Sequence, residues 1–230
     1  MSKELKLLSA GAVKPGLTKV IDAFQRDSGN EVQVAFATAP AILKQIGDGE
    51  TVDVVIAPPG ALEQLAKSGK YAARKTVTLG RIGVGVLVRN GESLPDISNV
   101  DGFKHALLHA QSIVYNQAST GIYLETLFES LGIGAAIRDK STRYPDFAAV
   151  LDHVRKGKGR EIGLGATTVI IENESRGVKF AGPLPGEIQN YTSYVASVIG
   201  EPDEKQVVQE FVSYLASPTA RALLAAAGIQ

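Results

Sequence analysis

An α/β fold of two lobes, each a mostly parallel sheet flanked by helices, follows from three features of the sequence. Short β-rich runs alternate with helical patterns along most of the 230 residues, which is the pattern of βαβ units. Residues 52–57 are apolar except for Asp53, close to the run that a strand covered on both faces requires. Residues 76–88 are unusually long for one strand and carry Gly80, Gly83 and Gly85. Such glycines mark a bend or a close backbone approach, and the segment reads as a crossing between lobes. The expected division is 1–80 with 195–230 in one lobe and 81–194 in the other.

Residues 4–9 read as the first strand. A helix over 14–28 follows, with Pro15 near its first turn, Leu17, Val20, Ile21 and Phe24 on one face, and Gly29-Asn30 as its stop. Residues 31–36 form the second strand. A helix from about Pro40 to Ile46 ends in Gly47-Asp48-Gly49, and Pro59 opens the next, which Gly69 closes. The second lobe reads as helix 100–110, strand 112–115, helix 121–131, strand 141–144, helix 147–156 and strand 161–165. Residues 191–199 return as a strand to the first lobe. The chain closes with a helix over 204–215 and a last one with Ser217 as N-cap, Pro218 at its first position and Gly228 as its stop.

Composition excludes several function classes. Lys plus Arg is 24 and Asp plus Glu is 24, a balance that argues against nucleic-acid binding. The absence of Cys excludes disulfides, thiolate metal sites and cysteine catalysis. An apolar fraction of 44% is too high for disorder, and no apolar run approaches the length of a membrane span. The first nine residues lack a signal peptide, so the chain as it stands is expected in the cytoplasm, or in the periplasm if an export signal has been removed. No nucleophile elbow, P-loop or dinucleotide fingerprint is present, and no cofactor is expected. His105 and His109 stand i, i+4 on a helix, yet no Glu follows His105 and a third metal ligand is not evident. They read as solvated, His153 as a lone half-exposed residue, and the basic run 155–160 as a solvated helix end.

Several strings carry a family resemblance: Asp53-Val54-Val55-Ile56-Ala57, Gly182-Pro183-Leu184-Pro185, and Phe211-Val212-Ser213-Tyr214-Leu215-Ala216-Ser217-Pro218 with Gly228-Ile229. In order and spacing the chain resembles the periplasmic molybdate-binding proteins, a branch of the type 2 substrate-binding proteins with aconitate-isomerase-like relatives. The resemblance spans nearly the whole length. It implies a type 2 periplasmic-binding-protein-like fold, two lobes joined by two crossing strands with a ligand held in the cleft between them.

In that fold, loops leading into helix N-termini line the cleft and offer backbone N–H groups to anions. Ser9-Ala10-Gly11-Ala12, Ala37-Thr38-Ala39-Pro40 and Ala118-Ser119-Thr120-Gly121 qualify. Singly, each Ser or Thr could merely cap its helix; three such loops on one cleft point to a ligand. Family members that hold a tetrahedral oxyanion use serine hydroxyls in the first two loops, where this chain has Ala12 and Ala39 or Pro40. The expected ligand is therefore a polycarboxylate ahead of molybdate or tungstate. Arg81, at the crossing, offers a two-pronged match to a carboxylate, with a surface arginine as the alternative reading. Asn116, Tyr115 and Tyr191 could add neutral hydrogen bonds, and Thr167 and Thr168 could reach the cleft after their strand. Lys14 and Lys44 are weaker candidates. The expected partners are a small anionic ligand and, if the chain is exported, an ABC permease, with no nucleic acid and no membrane insertion. The rival reading is a tricarboxylate isomerase, for which Tyr115, Tyr191, Ser119 and Lys14 are the available proton carriers.

Overall fold

The computed structural model describes residues 4–69, 75–199 and 205–230. Strand β1 (Glu4–Ala10) runs through a short 3-10 turn into α1 (Lys14–Ser28), which ends at Gly29. Then come β2 (Glu31–Ala37), α2 (Ala39–Gly47), β3 (Val54–Ala57), α3 (Pro59–Lys67) and the long β4 (Thr76–Arg89). The second series is α4 (Val100–His109), β5 (Ser112–Asn116), α5 (Ser119–Ser130), α6 (Gly134–Ile137), β6 (Ser141–Tyr144), α7 (Phe147–Lys156), β7 (Glu161–Ala166), α8 (Thr167–Glu172) and β8 (Val178–Pro183). Strand β9 (Tyr191–Val198), α9 (Gln206–Leu215) and α10 (Pro218–Ala226) complete the chain. The expected start of the ninth helix at residue 204 lies outside the described residues.

The chain divides into two compact units, one of Met1–Ile82 with Ser193–Gln230 and the other of Gly83–Thr192. Strands β4 and β9 each pass through a boundary between them. In the first unit β2, β1 and β3 are parallel neighbours and β9 lies antiparallel beside β3. The face of α1 carrying Leu17, Val20, Ile21 and Phe24 is buried, and Phe24 meets Phe211 edge-on with ring centroids 5.1 Å apart. In the second unit β6, β5 and β7 are parallel, while β4 lies antiparallel to both β7 and β8. Strand β7 is buried along its whole length, Glu161 included, as its otherwise apolar and glycine sequence EIGLGA permits. Phe103, Leu107, Leu124 and Phe128 form the core on one side of this sheet's central strands, and Val114, Val150, Val154 and Ile170 a second cluster. This is the α/β architecture expected, with parallel centres and antiparallel connecting strands.

Three elements had no signal in the pattern. Helix α8 has the sequence TTVIIE, whose β-branched residues favour strand locally. Strand β8 pairs with β4 through a register shift at Val86/Leu87, which blurs any alternation. Helix α6 is only four residues long. At Gly85 the expected close approach is present, since a Cβ there would lie 2.7 Å from the Phe180 ring.

Candidate functional site

In the first unit the parallel register sets Ser9 beside Phe36 and Ile56, and Ala10 beside Ala37. The turns into α1, α2 and α3 therefore start from one edge of the sheet. None of the three helices has a side-chain cap or an acidic residue in its first turn. Thr38 stands at the N-cap of α2 in extended conformation, half-buried, with its hydroxyl not engaged in capping. Ala39 opens the helix, and its N–H precedes the first helical bond, Ile42 N–H to the Thr38 carbonyl. Gly11 and Ala12 belong to the 3-10 turn. Ser9 lies within β1 and is fully buried, its hydroxyl donating to the Ala10 carbonyl at 3.3 Å. The serine expected in a loop is thus part of the interior. Lys14 is exposed, with Nζ 5.7 Å from the centre of the Phe36 ring. Lys44 pairs with Asp48 one turn further on. Arg81 is exposed and held by its backbone, which donates to the Gln230 carbonyl at 2.7 Å and accepts from the Gln230 N–H at 3.0 Å.

In the second unit β5 delivers Asn116 to the turn before α5. The Asn116 side-chain oxygen accepts from Ala118 N–H at 3.1 Å, closing a turn, and Gln117 N–H donates to the Tyr144 carbonyl. Ser119, Thr120 and Gly121 are the first three residues of α5, which starts two residues earlier than its sequence suggests. The reason is that Ala118 takes the cap position without a side-chain bond, leaving the hydroxyl residues inside the first turn. Thr120 is buried and Ser119 half-buried. Thr167 opens α8 after β7, the parallel neighbour of β5, and Thr168 is buried. Tyr191 opens β9 and is 41% exposed.

Other candidates take different places. Tyr115 is a core residue, 4% exposed and edge-on to Phe128 at 5.8 Å. Burial, then the nearby Glu125 carboxylate, pushes its phenol above the ordinary range, which makes it a poor proton carrier. His105 and His109 stack on each other at 4.0 Å, and no group of three metal-ligating residues exists among the described residues. His153 is not a lone residue: Nδ1 is hydrogen-bonded to Tyr144 Oη at 2.8 Å and Nε2 to Ser112 Oγ at 2.9 Å. It ties α7 to β5 and β6.

Gln189 is placed by contacts far away in the sequence. Its side-chain oxygen accepts from Val84 N–H at 2.7 Å and its amide donates to the Val84 carbonyl at 2.9 Å. The side chain thus pairs with β4 as a strand residue would. Tyr123 Oη donates to the Ile188 carbonyl at 2.6 Å, tying the adjacent residue to α5. Their distance in sequence from what they touch left no local signal.

The profile described as bacterial extracellular solute-binding protein matches residues 5–230, and the chain belongs to that family. An aconitate isomerase from Pseudomonas sp. is 28% identical over 234 residues, covering 98% of this chain and 87% of the relative. The periplasmic molybdate-binding protein of Azotobacter vinelandii superposes with a TM-score of 0.79 at 19% identity, over 98% of both chains. PEB3 with bound L-phospholactate gives 0.75 at 14% identity, over 97% of this chain and 98% of its own; PEB3 comes from Campylobacter jejuni. The fold is accordingly that of the type 2 periplasmic binding proteins. No helix among the described residues is long and apolar enough to cross a membrane.

Proposed function

We propose that the protein is a receptor for a small organic polycarboxylate. The observation that carries this reading is the pair of anion-suited helix starts that lack both side-chain caps and first-turn acids, α2 in one unit and α5 in the other. Thr38, Ser119 and Thr120 would supply hydroxyls, and Gly11, Ala12, Ala39 and Gly121 backbone contacts. Asn116, Thr167 and Tyr191 would add neutral donors, Arg81 a charged fork, and Ser9 support beneath its turn. Alanine at 12 and 39 leaves space and removes two donors worth about 0.5–1.5 kcal/mol each to an oxyanion. The PEB3 ligand, which carries a carboxylate, is in keeping with an organic anion in this fold. The family description supports export, and structural neighbours described as a molybdenum and a tungstate ABC transporter component support delivery to a permease.

Thermal unfolding with citrate, tricarballylate, trans-aconitate, molybdate and tungstate tests the reading. A ligand at 100 times its Kd stabilises by about 2.7 kcal/mol, which in a chain of this size raises Tm by roughly 5–10 °C. The expected shift comes from a polycarboxylate; a shift with molybdate alone overturns the assignment.

The aconitate isomerase relative favours a second reading, isomerisation of an unsaturated tricarboxylate. Incubation with cis-aconitate in deuterated buffer, followed by proton NMR, separates the two. A receptor leaves the acid unchanged, whereas an isomerase produces the trans isomer, with deuterium at the methylene carbon wherever the moved proton exchanges with solvent. No histidine or carboxylate stands among the proposed ligand residues, so no turnover is expected.

Arg81 gives a further prediction. Arg81→Ala should weaken polycarboxylate binding by about 2–5 kcal/mol if the contact is desolvated. Arg81→Lys should weaken it less but measurably, because the fork is lost while the charge remains. Calorimetric titration of both variants decides this, and unchanged affinity in both returns Arg81 to the surface.

A further inference from the structure

We propose that Lys14 is a second cation for the bound anion and that Phe36 positions it, an inference that rests on the receptor reading above. Lys14 is the first residue of α1, where the helix dipole disfavours a positive charge. No acidic side chain in the first turns of α1, α2 or α3 offsets it. A cation so placed raises the positive potential at the edge where Thr38 and Ala39 also lie.

Phe36 explains how the side chain is held. It is the residue before Ala37 in β2 and is in register with Ser9, so its ring lies at the same strand ends. The ammonium sits 5.7 Å from the ring centre, within reach of a cation–π attraction. That contact restricts a four-carbon chain that would otherwise lose its rotamer freedom on meeting a ligand. Lys44 offers a contrast, because its ammonium is engaged by Asp48 2.5 Å away.

Arg81 and Lys14 lie on different elements, β4 and α1. Two separate cations suit a ligand with more than one anionic group, which deepens the polycarboxylate assignment. A single tetrahedral oxyanion presents its charge at one point and would gain less from the pair.

The test is calorimetric titration with whichever of citrate, tricarballylate and trans-aconitate binds the wild type most tightly, at low and moderate salt. Lys14→Gln is expected to raise Kd about tenfold or more and to flatten the salt dependence, while Lys14→Arg stays within about threefold. Phe36→Leu is expected to raise Kd about threefold by freeing the lysine. The ligand-free Tm of Lys14→Arg should match the wild type and that of Lys14→Gln should match or slightly exceed it, since the side chain is exposed and the helix dipole disfavours its charge. Unchanged Kd in Lys14→Gln, or equal losses in the Gln and Arg variants, overturns the role of Lys14; tighter binding in Phe36→Leu overturns that of Phe36. A wild type that binds none of the three acids removes the receptor reading and this inference with it.

Discussion

Gly121→Ala is expected to destabilise the protein by more than about 3 kcal/mol and to abolish ligand binding. A Cβ at this position would lie 1.8 Å from the Asn116 carbonyl oxygen and 3.0 Å from its carbon. Both are backbone atoms, so no side chain can rotate away. Relief requires moving either the first turn of α5 or the turn that Asn116 closes onto Ala118. Movement of either displaces Ser119 and Thr120 from the places the ligand would need. Gly11→Ala is the control, since nothing lies within 4 Å of the added Cβ there. Its stability should stay within about 0.5 kcal/mol of the wild type. Chemical denaturation of both variants checks this, and a Gly121→Ala protein of normal stability would contradict the packing described.

Gly80→Ala should cost about 2–4 kcal/mol, from backbone strain and a clash together. Gly80 has φ +138, a conformation that L side chains rarely adopt. Its Cβ would also fall 2.6 Å from the Gln230 carbonyl oxygen and 2.8 Å from Ile229 Cγ2. The chain cannot simply release Gln230, because that residue forms both hydrogen bonds to the Arg81 backbone. Ile229 is 3% exposed and packs at α1 and β4. The substitution is therefore expected to lower polycarboxylate affinity as well as Tm. Thermal unfolding and titration of the same preparation check the two together; a lowered Tm with wild-type affinity would separate the Gln230 clamp from the placing of Arg81.

Much of the fold was legible in local sequence. The helix over Lys14–Ser28 shows a repeating apolar face between Pro15 and Gly29, and each signal acts within a turn or two of the chain. Ser217 caps α10 by accepting from Ala220 N–H at 3.1 Å, a contact between residues three apart. The long strand with its three glycines was visible for the same reason. Helix α8 was hidden because its β-branched residues pointed towards strand.

The candidate site was legible only as residue types at loop positions. The hydroxyls at Thr38, Ser119 and Thr120 were visible, but sequence could not say that α2 and α5 would lack side-chain caps. Ser9, Tyr115 and His153 show the limit most clearly. Serine and tyrosine suit a ligand site or a core equally well, and strand packing decided for the interior. His153 acquired partners 41 and nine residues away, which no window around it contains.

Most of the strands and helices, the Ser217 cap and the buried face of α1 were thus written in the sequence itself, because backbone hydrogen bonds and apolar periodicity act over a few residues. Tertiary structure alone decided that Gln189 pairs with Val84, 105 residues away, that Gly121 admits the Asn116 carbonyl, and that Lys14 lies over Phe36. Those contacts depend on which strands become neighbours and in what register, a choice made by burial of the whole sheet rather than by any one segment.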